Sequence, residues 1–544
     1  MTTATPDTPA SPEPPPEEDR PAGPRSASLR PLVLRLHFYA GLLVAPFLFV
    51  AAFSGLLYAG SVQVEKLVYD HELSVPVGDA HRPVDEQIAA ARAAYPEGTL
   101  DGVRPAAEPG DTTRVLLDLP DLGPSHRLAV FVDPYTAEVR GDLEAYGSSG
   151  ALPFRWWIDE LHRGLHLGDF GRHYSELAAS WLAVITLGGL FLWLGQRRRR
   201  RARGALLPEP RAKGRRRLLS WHGSLGLWIA LPLCFLALTG LTWSQHAGAN
   251  ITQLRGDLSW ETPTVNTAPP GSAEPSGHGT HGGRADGEGH GEHGEHGEHA
   301  EHPAHEDHLD DGADGADTSD APTITPGQAW ESAREAGLRA PVEIVYPTEP
   351  GGAYAVQEVQ AHWPTQVDAV AVDAGTGEVT DTVRFADFPL AAKLARWGVD
   401  AHMGLLFGFA NQLLLMLLAT ALMTLIVLGY RMWWRRRPTG EGRRGWARPP
   451  SRGAWRRAPR AGLLLLLAVA AVAGYFAPLL GLSLLAFLLL DAVLGAVHRH
   501  RVSRDPHGRE TNDRDAGDRD PHGPEANGRR PAEPNPADGG PRRT

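Results

Sequence analysis

One cysteine in 544 residues, Cys234, set in an apolar run, removes three chemistries at once. A disulfide framework needs pairs of thiols, a thiolate zinc site needs several, and a cysteine-held iron–sulfur cluster needs about four. Positive charge is also thinly spread. With 53 Lys+Arg against 64 Asp+Glu, and Arg clustered in only a few places, the chain lacks the continuous basic face of a nucleic-acid binder. It has no phosphate-cradling Gly loop, dinucleotide fingerprint, nucleophile elbow or zinc-protease helix. Any electrons it handles therefore come from another protein or from membrane quinol.

What it does have is long apolar runs. Leu32 to Ala59 is apolar apart from Arg35, His37 and Ser54, and similar runs occupy Leu177 to Leu194, Leu218 to Trp243 and Leu405 to Met432. Each is long enough for the roughly 20 helical residues that cross about 30 Å of hydrocarbon. The first starts too late and runs too long for an ordinary cleaved signal. A last stretch, Gly462 to Val497, is interrupted at Ala477-Pro478 and reads as a hairpin of two short spans, giving six crossings in all. Gln196 to Arg217 carries ten Arg and one Lys against one Glu, and Arg431 to Arg460 carries eleven Arg against one Glu. Such short basic loops stay in the cytoplasm, so both termini lie inside and the long intervening segments lie outside.

The halves repeat each other. His37, Gly41-Leu42 and Ser54-Gly55-Leu56 match His222, Gly226-Leu227 and Thr239-Gly240-Leu241 at an offset of 185. At an offset of 240, Trp157, His162 and Gly164-Leu165 match Trp397, His402 and Gly404-Leu405, and Val132 to Val139 matches Val372 to Val379. The offsets differ by 55 residues, the length of a Gly-, His- and acid-rich insert, Ala268 to Pro322, which holds nine of the 24 His. Each outer segment shows a helix-periodic stretch, Val84 to Tyr95 or Gln328 to Ala336, followed by alternating runs such as Arg114 to Leu119 and Leu128 to Val132. The Asp133 and Asp373 segments read as hairpin turns rather than as ligands.

The expected fold is an α-helical membrane bundle: four core spans from a duplicated helix–domain–helix unit, a C-terminal helical hairpin, and two outer α+β domains with small antiparallel sheets. The boundaries are a disordered tail over 1–30, spans at 31–61, 174–195, 218–245 and 401–434, and a hairpin at 461–498. The outer domains cover 62–173 and 246–400, the latter with its insert at 268–322; basic loops fill 196–217 and 435–460, and a second disordered tail fills 499–544.

Four histidines carry the chemistry. His37 and His222 fall at the cytoplasmic ends of their spans, and His162 and His402 toward the outer ends of theirs. Any one alone reads as an interfacial anchor. Two at each of two levels supply two axial imidazoles to each of two macrocycles, and no Cys or carboxylate completes a tetrahedral zinc set, so two bis-His haem b groups are expected. His166, one helical turn from His162 with Leu406 at its matching place, is an alternative ligand, a propionate contact or a substrate-side metal ligand; His162 ranks first for its matched position. Helix rise sets the two levels on the order of 30 to 40 Å apart. His173 reads as a boundary polar residue. In the insert, His290, His293, His296, His299, His302, His305 and His308 recur every third residue, a flexible trap for divalent Cu, Zn or Ni.

These motifs, Leu36-His37 with Gly41-Leu42, the Asp133 to Val139 turn, Leu161-His162-Arg163 and their second copies at Trp221-His222, Asp373 to Val379 and His402, resemble the PepSY-associated transmembrane helix family over about residues 31–434. The resemblance implies paired PepSY domains outside, and relatives such as iron-regulated membrane proteins and dihaem ferric-siderophore reductases. It implies passage of electrons from quinol or a cytoplasmic reductase to a ferric chelate or other metal at the outer face. The His-rich insert and the last hairpin depart from the family's simpler members, and the insert widens the choice of metal. A non-redox metal sensor, or a regulator of a peptidase or signalling partner, is the alternative. A metal permease ranks last, because the apolar runs hold no acidic residue before Asp491.

Overall fold

The structure is a computed structural model that describes residues 28–197, 206–269, 323–435 and 458–504. The His-rich positions His290 to His308, and much of both basic loops, lie outside those residues. By packing, residues 1–485 form one unit and 486–544 a second.

The first apolar run is two helices, α1 (Arg30–Leu43) and α2 (Ala45–Val68). Pro46 has no N–H to return to the Leu42 carbonyl, and the helix breaks at Val44. Tyr430 supplies the missing donor, its hydroxyl reaching Leu42 O at 2.8 Å. A short helix α3 (Asp70–Leu73) leads to α4 (Val84–Ala94), strands β1 (Thr99–Arg104), β2 (Thr113–Asp118), β3 (His126–Val132) and β4 (Val139–Tyr146), and α5 (Pro153–Gly164). Then come α6 (Gly168–Arg197), α7 (Gly214–Leu241), α8 (Gln245–Asp257) and α9 (Pro326–Glu335). Strands β5 (Val342–Val345), β6 (Ala353–Glu358), β7 (Ala369–Asp373) and β8 (Val379–Val383) precede α10 (Leu390–His402), α11 (Gly408–Trp434), α12 (Arg460–Phe476) and α13 (Pro478–Arg504).

Five of these helices are long and apolar enough to cross a membrane: α2, α6, α7, α11 and the Pro478–Val497 part of α13. Large apolar side chains such as Phe53, Leu187, Leu231 and Leu417 stay exposed along them, a surface suited to lipid rather than water. The chain is thus a multi-pass membrane protein. The sixth expected crossing, α12, has only 17 residues, and the boundaries shift: α2 runs on to Val68, α6 starts at Gly168, and the fourth span starts at Gly408, after His402.

The strands form one eight-stranded antiparallel sheet, ordered β4-β3-β2-β1-β5-β6-β7-β8, instead of the two small sheets expected. Each four-strand meander would leave its first strand as an open edge of unpaired backbone groups, and β1 and β5 close these edges on each other. Their register is short, Gly102↔Val345 and Val103↔Ile344. It needs glycine at 102, where a Cβ would stand 3.0 Å from Ile344 O. Beside it, Glu343 accepts from Arg104 Nε at 2.8 Å and from Arg127 at 2.7 Å. Burial alone would raise the Glu343 carboxyl, but the two guanidiniums override it and hold the carboxyl below its ordinary range.

One sheet face packs under α4 and α9, with Ile88, Ala91, Val115, Leu117, Ala329 and Val356 in its core. The alternate residues Leu116, Ala129 and Phe131 point the other way, against Leu152 and Tyr69. Glu65, near the end of α2, ties this face to the bundle by accepting from Leu152 N and Arg155 Nε, each at 3.1 Å.

The expected turns are present. Asp133 Oδ1 accepts from Tyr135 N at 2.8 Å and Asp373 Oδ1 from Thr376 N at 2.7 Å, with Ala137 and Gly377 at φ of 60° and 78°. Their oxygens are occupied by their own loops, as turn chemistry requires.

Candidate histidine site in the helix bundle

Hydrogen-bond arithmetic at each histidine shows which ring nitrogen is free. Ser54 Oγ donates its one proton to Val50 O at 2.9 Å, so His162 Nδ1, 3.0 Å away, donates to Ser54. Thr239 Oγ1 donates to Phe235 O at 2.8 Å and receives from His402 Nδ1 at 2.7 Å. His37 Nδ1 donates to the Ile185 carbonyl at 3.0 Å. His222 faces the Leu425 backbone, its buried Nδ1 short of a well-formed hydrogen bond. For His37, His162 and His402 the proton sits on Nδ1 and the lone pair on Nε2, the state a metal ligand requires.

Each ring also has a glycine at its Cε1. A Cβ would come within 3.1 Å of His162 at Gly55 and of His37 at Gly189, 3.5 Å of His402 at Gly240, and 3.9 Å of His222 at Gly429. Gly55 and Gly240 lie in the repeated motifs of the sequence. Gly189 and Gly429 went unnoticed there, although they too differ by 240 in number, because neither stands beside a histidine in the chain.

The structure brings the histidines together by level. His37 and His222 have ring centroids 6.4 Å apart with planes at 77°. His162 and His402 lie near each other at the second level. Neither of this second pair lies on a span: α5 and α10 dip back into the bundle from the sheet, and their last turns carry the rings to Ser54 on α2 and Thr239 on α7. That shortens the distance between levels. Thr239 lies 17 residues beyond His222 on α7, about 26 Å at 1.5 Å per residue, less than the separation expected from the sequence.

His166 departs from its expected place. Helix α5 ends at Gly164, Leu165 and His166 have φ of 55° and 54°, and the exposed His166 ring lies tilted on Trp157 at 4.8 Å instead of on the face of His162. Trp243, not singled out in the sequence, packs edge-on against His402 at 5.3 Å. Around Trp221, the residue before His222 in the chain, a cavity of about 390 Å³ is lined also by Arg217, Arg431 and Arg435 among others.

An antiparallel sheet beside a bundle of apolar helices, with paired histidines at two depths, defines a class of multi-pass membrane proteins bearing sheet domains on one side. Within it, the family described as the PepSY-associated TM region matches residues 34–436, and the chain belongs to that family. No curated protein matches the chain.

Proposed function

We propose that the protein is a haem b electron-transfer protein that reduces a ferric chelate or another metal species on the sheet side of the membrane. The observation that carries this reading is the recurring unit: a glycine at the Cε1 of each of the four imidazoles, with Nδ1–H of three of them, His37, His162 and His402, held by a backbone or hydroxyl oxygen. Two axial imidazoles on one iron, with metal–nitrogen bonds of about 2.0 Å, put ring centroids roughly 6 to 6.5 Å apart. The 6.4 Å of His37 and His222 fits that span. His37 and His222 would hold one haem, and His162 and His402 the other. Bound haem supplies a one-electron carrier at each level. The protein's own part is to fix the imidazole tautomers through Ile185, Ser54 and Thr239, to leave space through the four glycines, and to keep water out with apolar helix faces. One-electron reduction aids uptake because Fe(II) binds hard oxygen chelators far more weakly than Fe(III).

The matched offsets support descent of the two halves from one duplicated helix–PepSY–helix unit, with the basic loops in the cytoplasm and the sheet outside. On that orientation the arginine-lined cavity around Trp221 faces the donor, a quinol or a cytoplasmic reductase. The deciding experiment is pyridine haemochrome quantification with a reduced-minus-oxidised spectrum on detergent-purified protein. About two b haems per chain are expected, falling by about one in His37→Ala and in His402→Ala. No haem after expression with ample haem would discard the redox reading in favour of a metal-sensing regulator.

A further inference from the structure

A second imidazole pair lies outside the four histidines above. His173, on the second turn of α6, and His246, at the start of α8, have Nε2 atoms 3.1 Å apart and ring centroids 5.1 Å apart. The ring of His173 and the backbone of His246 are each held in place. His173 Nδ1 donates to the Asp169 carbonyl at 2.6 Å, which fixes the proton there and leaves the lone pair on Nε2. The backbone N–H groups of His246 and Ala247 donate to the Glu176 carboxylate at 2.9 and 3.1 Å. Glu176 is itself 1% exposed, a buried carboxyl group placed at the positive end of α8. The rings remain half-exposed, so the pair is both fixed and reachable.

Two Nε2 atoms aimed at one point share a single proton when both rings are neutral. Replacing that proton by a metal ion is the familiar alternative for converging imidazoles. Among the described residues no group of three or more His, Cys, Asp or Glu converges. Among the described residues, then, the pair has no third or fourth ligand of the kind a closed tetrahedral zinc site needs, and coordination positions stay open for exchange. Low-coordinate binding by two imidazoles suits monovalent copper, whereas Zn(II) and Ni(II) call for four or more ligands, and to take the ion between them the Nε2 atoms would part from 3.1 Å to about 4 Å. Trp243, three residues before His246 in the chain, meets the His402 ring of the histidine level nearest the sheet.

We propose that His173 and His246 form a docking site for a copper ion on the sheet side of the bundle. Binding stands on this geometry alone. Its assignment as the place where the reducible metal is received rests on the redox reading above.

The test uses the full chain in detergent, with Cu(I) partitioned between the protein and a chromophoric Cu(I) chelator. Wild type, His173→Ala, His246→Ala and the double variant are compared, so that imidazoles elsewhere cancel in the difference. Each single substitution is expected to lower the number of retained ions by one, and the double variant to lose no more than that one. Equal counts in all four proteins overturn the site. If an alanine variant changes its size-exclusion profile, His173→Asn and His246→Gln replace it, filling the space while removing the Nε2 clamp. The haem spectrum of the same samples is read separately: a one-ion loss in protein without haem would remove the substrate role and leave the copper site.

Discussion

At the scale of single residues, the ligand state of each histidine depends on the atom behind it. Thr239→Val takes away the acceptor of His402 Nδ1–H and leaves a buried donor, at a cost of about 1–3 kcal/mol. Outer supports of this kind change affinity roughly 10- to 100-fold. Haem titration should then show one site weakened by that factor and the His37 site unchanged; equal weakening of both would contradict the pairing by level. Glycines offer a sharper contrast. Gly189→Leu must displace the His37 ring, whereas Gly41 has nothing within 4 Å of a built Cβ, so Gly41→Leu should keep the haem content that Gly189→Leu loses, as absorbance would show. The four histidines and Ser54, Thr239, Gly55 and Gly240 are legible in the sequence because both copies set them at equal spacing. Ile185, Gly189, Gly429 and Trp243 are not, because their roles depend on which helix face meets which neighbour. His166 misled for a related reason: its spacing fits a helix that Gly164 and the positive φ values after it have already ended.

At the scale of elements, the joint between β1 and β5 concentrates charge chemistry. Because Glu343 titrates lower when folded than when unfolded, its contribution is present above the ordinary carboxylate range and is lost as pH falls through its depressed value. Amide exchange at β1 and β5 should therefore accelerate between roughly pH 4.5 and the acid limit more than at β3, and Glu343→Gln should abolish that extra acceleration while raising exchange at neutral pH. Uniform acid sensitivity of all strands would count against the joint as a local weak point. The first apolar run reads as one span, so the break that Pro46 makes at Val44 was missed, and Tyr430 as the partner of Leu42 was out of reach, since 388 residues separate them. The strands of each meander were foreseen by their alternation, but their fusion was not, because an edge strand and a central strand carry the same pattern.

At the scale of the whole molecule, the sidedness proposed from the basic loops is open to direct labelling. In a Cys234→Ser background, Asp257→Cys at the end of α8 should react with an impermeant maleimide on intact cells. Lys213→Cys, just before α7, should react only after permeabilisation. The reverse pattern would invert the protein and place the sheet in the cytoplasm. Deleting residues 268–322 should leave the haem spectrum intact, since every histidine of the two levels lies elsewhere; loss of haem in that protein would make the insert a ligand source.

The pairing of β1 with β5 also sets an order of assembly. Strand β1 is complete about 240 residues before β5 exists, and helices α6 and α7 must be synthesised in between. During that interval the N-terminal meander presents an unpaired edge, the kind of surface on which chains join one another by strand addition. A ribosome stalled between α7 and β5 would therefore hold a half-sheet prone to pair with its neighbour's, and the arrival of β5 is the event that closes each chain on itself.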